Sequence, residues 1–286
     1  MTVPFKNMSL NLPAHFFRFA GAMIDKVQIN QMRLTRRDGR LMWVKRRRRG
    51  SRALVLGANL FFRSAGNPVC VVEDTRVWRQ QEVASFRLLN GEEFWAFSGD
   101  DGSVWLERLP GSDLDTLNEG GRLEVGMFYA AGLEFRRVHG LYSPRFRGPW
   151  SHGDPNFGNV IVDERAQRVR LIDFETAHVQ TLSPDDRHAD DVAVFLLDLL
   201  GGVAEESLPA MAAAFLAGYD RPAIWELAQS RLVIPTGFGR LWWGIRTEYA
   251  PLVVLRRRVS LLRQCSAPAL AAKPLPSTFT NPLIHR

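Results

Sequence analysis

Hydrophobic and polar positions follow two rhythms along the chain. In the N-terminal third, short apolar runs bounded by turn residues predict strands: KVQINQMRL and LMWVKR, joined at Asp38-Gly39, then EFWAFSGD and SVWLERL, joined through Gly99-Asp100-Asp101-Gly102. Asp-Gly between two such runs is a strong hairpin signal, because the tight turn needs positive φ at both central residues. Between the hairpins, TRVWRQQEVASFRLLNG sets Val77, Trp78, Val83, Phe86 and Leu89 on one helical face, with Asp74 or Thr75 to cap its start and Gly91 to end it. With one weakly patterned early strand, these runs predict a five-stranded sheet carrying one helix.

Further on the period becomes helical. SDLDTLNEG and RLEVGMFYAAGLEFRRVHGL read as helices, as do RHADDVAVFLLDLLGG, residues 208–219, residues 222–232 and the run GFGRLWWGIRTEYAPLVVLRRRVSLLRQ. One exception interrupts them: NVIVD and RVRLID flank the polar turn DERAQ and predict a further hairpin. The last residues, CSAPALAAKPLPSTFTNPLIHR, carry four Pro among small residues and read as an irregular tail. The pattern is that of an α+β protein, a small antiparallel sheet followed by a larger, mostly helical part.

The candidate chemistry gathers around that second hairpin, in WSHGDPNFGNVIVDERAQRVRLIDFETAH. The hairpin returns Asp173 to the side of Asn159, so a carboxylate and an amide oxygen converge at its mouth. Such a hard, oxygen-only set suits Mg²⁺, which keeps several waters and binds substrate phosphates through one or two carboxylates. Asp154 is left near the same point, placed to accept the proton of an attacking hydroxyl. Singly, Asp, Asn and Gly are ordinary loop formers. The signal lies in the combination H-x-D-x-x-x-x-N, a strand, a turn, and a second strand ending in Asp-Phe.

HGDPNFGNVIVD followed by LIDFE resembles the catalytic and metal-binding loops of the protein-kinase-like phosphotransferases. The HGD and DFE spellings bring it nearer the small-molecule and bacterial branches. These include aminoglycoside phosphotransferases, choline kinases, and the lipopolysaccharide core kinases that act on 3-deoxy-manno-octulosonate or heptose. The resemblance implies a bilobal fold using ATP and Mg²⁺, with Asp154 as catalytic base, Asn159 and Asp173 as metal ligands, and His152 as a structural member of the loop. It implies a nucleotide-binding lobe over residues 1–109, a catalytic lobe over 110–264 and a tail over 265–286. It further implies a phosphate-binding Lys45 paired with Glu82, Glu73 being the alternative partner. Residues 107–111 then form a hinge where Glu107 and Leu109 offer backbone to adenine, and Asp191, or else Asp190, anchors the catalytic loop. The plain reading of an acidic helix start is complementarity to the helix dipole. Lys45 opens the basic run KRRRR, whose ordinary reading is a solvated face; both faces of its strand are apolar, so periodicity does not orient it.

Two departures from the template narrow the expectation. Glu175 stands where the template has Gly, which argues against a DFG-type switch. No G-x-G-x-x-G precedes Lys45, only Gly21 within FRFAGAMIDK, so phosphate cover falls to Arg36, Arg37, Arg40, the Arg46 to Arg49 run, or backbone N–H groups. With no APE segment, regulation by loop phosphorylation is not expected.

Composition adds constraints. The 286 residues are 46% hydrophobic, enough for a large core, and Cys70 and Cys265 alone make no disulfide framework. Without a leader or an apolar run of membrane-spanning length, the expected setting is cytoplasmic, extending to the inner face of the cell membrane. The net charge of +7 calls for an anionic partner. Nucleic acid would match the basic clusters but leaves the kinase-like loops without a role; an anionic membrane surface and an anionic, lipid-linked sugar acceptor fit both. The expected activity is therefore ATP- and Mg²⁺-dependent phosphorylation of a lipopolysaccharide core sugar. The alternatives are a choline or aminoglycoside-type kinase, the former with Trp225, Trp242, Trp243 and Tyr249 as a cation cage, and an inactive, basic pseudokinase scaffold. The sequence does not specify an oligomeric state.

Overall fold

A computed structural model describes residues 29–265. Gly21, the start of the first predicted strand and the tail from residue 266 onward lie outside the described residues. The chain is mixed α and β, 50% helix and 18% strand, with small antiparallel sheets, which is compatible with an α+β architecture.

The first hairpin, β1 (Asn30–Arg37) and β2 (Arg40–Arg47), closes where Asp38 (φ 50°) and Gly39 (φ 79°) take the left-handed conformation. Next comes a helix that the hydropathy pattern did not predict, α1 (Ser51–Ser64), and a three-residue strand, β3 (Val69–Val71). Helix α2 (Thr75–Asn90) starts where the Asp74 carboxylate accepts from Val77 N at 2.8 Å and stops at Gly91. The second hairpin, β4 (Ala96–Ser98) and β5 (Val104–Glu107), leads through β6 (Ser112–Asp113) into α3 (Leu114–Glu119) and α4 (Val125–His139). A short ribbon, β7 (Tyr142–Ser143) and β8 (Gly148–Pro149), precedes a 3₁₀ turn at Phe157–Asn159. Then come β9 (Val160–Asp163), β10 (Arg168–Leu171) and β11 (Thr176–His178). Helices α5 (Pro184–Gly202), α6 (Leu208–Tyr219), α7 (Pro222–Arg231), α8 (Gly237–Arg246) and α9 (Leu252–Gln264) complete the described chain.

The first sheet has the order β1-β2-β5-β4, four strands rather than the five expected; helix α2 packs against it, whereas α1 packs on β3. The remaining short strand, β3, pairs with β11 instead, Val71 opposite Thr176. Three residues are too few to show a period, and their partner lies more than a hundred positions away, so neither strand's place is visible locally. The predicted β9–β10 hairpin forms in register, Val160 opposite Leu171.

The core of the helical part is built on α4, α5 and α6. A side chain at Gly132 would meet the Phe215 carbonyl at 2.1 Å, and one at Gly218 the Tyr129 carbonyl at 2.2 Å, so these two glycines let α4 and α6 approach backbone to backbone. Phe135, Phe195 and Phe215, none of them exposed, fill the space between, with Phe195 and Phe215 stacked at 4.4 Å. Truncating such a ring costs about 3–5 kcal/mol. Helix α5 is buried on nearly all sides, so its carboxylates Asp190, Asp191 and Asp198 stand inside the protein and need partners. Among the described residues no helix is long and apolar enough to cross a membrane.

Candidate functional site

Met42 and Lys45 are the buried positions of β2, and Lys45 is only 3% exposed. It points inward, beneath α2, where its Nζ donates to Glu82 Oε1 at 3.0 Å and to Asp173 Oδ1 at 2.7 Å. Glu82, fully buried, uses its other oxygen to accept from Phe174 N at 3.3 Å. Three segments far apart in sequence therefore meet on one ammonium group. The alternative partner, Glu73, is exposed and accepts from Asn59 Nδ2 at 3.2 Å. Burial by itself would lower the pKa of Lys45, but Asp173 and Glu82 more than offset it and hold the amine above its ordinary value. Burial raises Glu82, whereas at Asp173 the Lys45 charge outweighs burial and keeps the carboxyl low.

The rest of the basic run is not one solvated face. Arg46 forms an ion pair with Asp101, and Arg47 donates to the Val72 carbonyl at 3.0 Å while lying 4.9 Å over the Trp78 ring. Arg37 lies over Phe97 and Trp105, and Arg40 pairs with Glu107 at 2.6 Å. Each of these four arginines is engaged by a neighbouring side chain or carbonyl.

The HGD loop is anchored from α5. Asp191 Oδ2 accepts from His152 N at 2.8 Å and Oδ1 from Gly153 N at 2.7 Å, and His139 Nε2 lies 3.1 Å from Oδ2. Burial would raise the Asp191 carboxyl, yet His178 and His139 reverse this and hold it well below the carboxylate range. Asp190 instead meets His178 Nε2 at 3.2 Å. Gly153 has φ 91°, and a side chain there would come within 3.3 Å of Ala177 Cα. His152 is 2% exposed: Nε2 lies 2.9 Å from the Ile172 carbonyl and Nδ1 accepts from Asp154 N at 3.2 Å, which sets the neutral Nε2–H tautomer. Burial lowers its pKa, in keeping with that form.

The β9–β10 hairpin brings Asn159 beside the Asp173 turn, since Ile172 N donates to the Asn159 carbonyl at 3.0 Å. The Asn159 Nδ2 donates to the Asp154 carbonyl at 2.8 Å, leaving Oδ1 for another partner. Asp173 takes φ 66° and its side chain stays 30% exposed. One amide oxygen and one carboxylate with solvent access form a donor set that fits Mg²⁺ in its usual, mostly water- and phosphate-filled shell. Among the described residues, no group of three or more His, Cys, Asp or Glu forms a closed metal site.

Beyond Lys45 a cavity of about 290 Å³ opens between the sheet and β9–β10, lined by Trp43, Leu106, Leu109, Ile161, Ile172 and Asp173. Glu107 borders it, but its carboxylate is turned to Arg40 and accepts from Trp95 N at 2.9 Å, so it faces the cavity with its backbone.

Sequence reasoning missed the partners of Asp154. Arg246, from the end of α8, donates to Asp154 Oδ1, lies 3.9 Å from Asp198 and stacks 4.6 Å over Trp242. Asp198 Oδ2 accepts from Phe157 N at 2.8 Å, and burial pushes its carboxyl up to about 7 against the pull of Arg246. An isolated Asp inside the apolar run FLLDLL was the available signal, since a buried carboxylate implies a cation nearby. Trp225 and Trp243, at 5% and 6% exposed, belong to the core, and Trp242 already carries the Arg246 guanidinium. The expected cation cage is corrected accordingly.

The segment after Asp173 is pinned. Gln81 Nε2 donates to the Phe174 and Thr176 carbonyls at 2.6 and 2.8 Å, Val72 N donates to the Glu175 carbonyl at 3.1 Å, and Asn30 Nδ2 donates to the Glu175 carboxyl. Burial and the nearby Asp173 push Glu175 up to about 8. Comparison with known protein families finds no match, and none of the curated proteins matches the sequence.

Proposed function

We propose that the protein is an ATP- and Mg²⁺-dependent phosphotransferase of bilobal, protein-kinase-like fold, acting on the hydroxyl of a lipopolysaccharide core sugar. The observation that carries this reading is the buried contact of Lys45 with both Glu82 and Asp173. Structural ion pairs seldom gather one lysine and two carboxylates at the rim of a cavity, because desolvating them is costly. A phosphotransferase needs that arrangement, with a lysine on the nucleotide phosphates, an acidic partner to orient it, and a metal-binding carboxylate.

In this reading the cavity beside Leu106 and Leu109 receives the adenine, with hinge backbone at Glu107 and Leu109 as its polar edge. Asn159 and Asp173 would hold Mg²⁺, which would supply neutralising charge at the transferred phosphate. Asp154 accepts the proton of the acceptor hydroxyl as its oxygen bonds to the γ-phosphorus. The bond from that phosphorus to the bridging oxygen breaks, and ADP leaves. Arg246 holds Asp154 in place from one side, and Asn156 Nδ2 reaches its Oδ2 at 3.2 Å from the other. Two features support a small or lipid-linked acceptor over a protein one: the pinned segment after Asp173 leaves little freedom for a loop switch, and the charge of +7 favours an anionic substrate.

The test is thermal shift and turnover. Wild type should be stabilised by ATP only with Mg²⁺ present and should consume ATP with a core-sugar acceptor, and Asp173→Ala should lose both effects. Mg²⁺-dependent turnover retained by that variant would refute the assignment. Turnover with choline or aminoglycosides alone would move it to the other branches.

A further inference from the structure

Helix α1 is apolar on the side that faces away from the protein. Its inner side is fixed: Val55 is buried, and the Asn59 amide exchanges two hydrogen bonds with the Val71 backbone, at 2.7 and 3.0 Å. Its outer side should then be polar. Instead Leu54, Leu56 and Leu60 are 41%, 48% and 64% exposed, and at 100° per residue Leu56 and Leu60 project together from the outer face. Phe238, 51% exposed, stands at the C-terminal end of this helix, where a side chain on its neighbour Gly239 would lie 3.3 Å from the Ala65 carbonyl.

Positive charge gathers around these residues, with the exposed Glu73, which accepts from Asn59 Nδ2 at 3.2 Å, as a carboxylate beside the helix. Arg49, Arg52 and Arg63 are exposed and make no ion pair among the described residues, and no acidic residue occurs between Asp38 and Glu73. Exposed leucines beside unpaired arginines are what an interfacial helix presents to lipid headgroups: the apolar face enters the headgroup boundary and the cations meet anionic phosphates.

The position of α1 relates it to the site. Phe62 packs edge-on against Trp242 at 5.2 Å, Trp242 carries Arg246 at 4.6 Å, and Arg246 holds Asp154. We infer that α1, with Phe238, docks the protein on an anionic bilayer surface and so presents the Asp154 site to an acceptor held at headgroup level. The inference rests on the proposed phosphotransfer for the acceptor alone.

The experiment is co-sedimentation of the full chain with vesicles of phosphatidylcholine alone and of phosphatidylcholine mixed with phosphatidylglycerol. Binding should appear with the anionic vesicles, and the double variant Leu56→Gln/Leu60→Gln should reduce it by about tenfold or more. Its melting temperature should not change, because both side chains are exposed. Raised salt should weaken wild-type binding without abolishing it, since salt screens the arginines and leaves the apolar contact. Absence of vesicle binding would overturn the inference, as would binding indifferent to the two leucines, which would mean charge adsorption alone. Self-association abolished by the same substitutions, in a chain that ignores vesicles, would assign the face to a second copy instead. None of these measurements needs turnover, so failure here leaves the phosphotransfer reading intact, and loss of Mg²⁺-dependent ATP binding leaves docking intact.

Discussion

Lys45→Met tests the centre of the site, because Met matches the length of Lys while removing its charge. The swap conserves volume closely enough that packing alone should cost less than about 1.5 kcal/mol. The larger effect falls on Glu82, whose side chain is 0% exposed and which loses its one cation at hydrogen-bond distance among the described residues. Removing one partner of a buried pair costs about 3–5 kcal/mol. Glu82 can escape part of that penalty by taking up a proton, which for an ordinary carboxyl costs about 1 kcal/mol at about pH 5 and about 5 kcal/mol at about pH 8. The sign follows: a carboxyl whose folded pKa is raised loses stability as pH climbs from its unfolded value toward its folded one. The destabilisation of Lys45→Met should therefore be small near pH 5 and grow by up to about 4 kcal/mol toward pH 8. Urea unfolding at the two pH values measures this. Lys45→Met/Glu82→Gln, with no charge left on either side of that pair, should recover much of the loss at pH 8 while remaining unable to turn over ATP. A single variant as stable as wild type at both pH values would refute the reasoning.

Three further outcomes follow from the surrounding groups. Asp191→Ala strands the His152 and Gly153 N–H groups and should cost at least about 3 kcal/mol, read as a lowered urea midpoint; an unchanged midpoint would mean the loop is held elsewhere. Arg246→Met should lower kcat by about tenfold or more with a smaller effect on KM, because Asp154 loses its orientation rather than its identity, and Arg246→Lys should restore activity only in part, since a point charge cannot repeat the planar contacts to Asp154, Asp198 and Trp242; equal kcat in all three proteins would remove Arg246 from the site. Glu175, with a carboxyl raised from 4.5 to about 8, makes folding less favourable as pH rises between those values. Glu175→Gln should flatten that dependence and add about 3 kcal/mol near pH 7, and chemical denaturation across that range is the check.

Much of the architecture is legible in local pattern. The Asp38-Gly39 turn, the bounds of α2 and α6, and the β9–β10 hairpin each follow from a period or a turn residue whose physics acts within a few positions. The cluster of Lys45, Glu82, Asp173, Asn159, Asp154 and Asp191 was legible as well, for a different reason: spacing around two short loops, read against the order of a known phosphotransfer template. What stayed hidden had no local mark. Helix α1 sets leucines toward the outside and turns Asn59 inward to the Val71 backbone, so its pattern does not mark the face that packs. Arg246 reaches Asp154 across 92 positions, and Asn30 reaches Glu175 across 145.

Lys45 shows where the division falls. Its strand is apolar on both faces and its neighbours are four arginines, so the sequence by itself determined that a strand ends in a cluster of cations and left the direction of each one open. Packing decided it. Once α2 lies over β2, the lysine faces Glu82 from a position water cannot reach, and the cost of leaving either charge alone there commits both to the contact. Arg46 and Arg47, one and two residues on, find Asp101 and the Val72 carbonyl instead. Local pattern sets which elements form, because backbone and turn energetics are short-ranged; only the tertiary structure sets which charges meet, because burial makes an unpaired charge expensive and burial belongs to the whole fold.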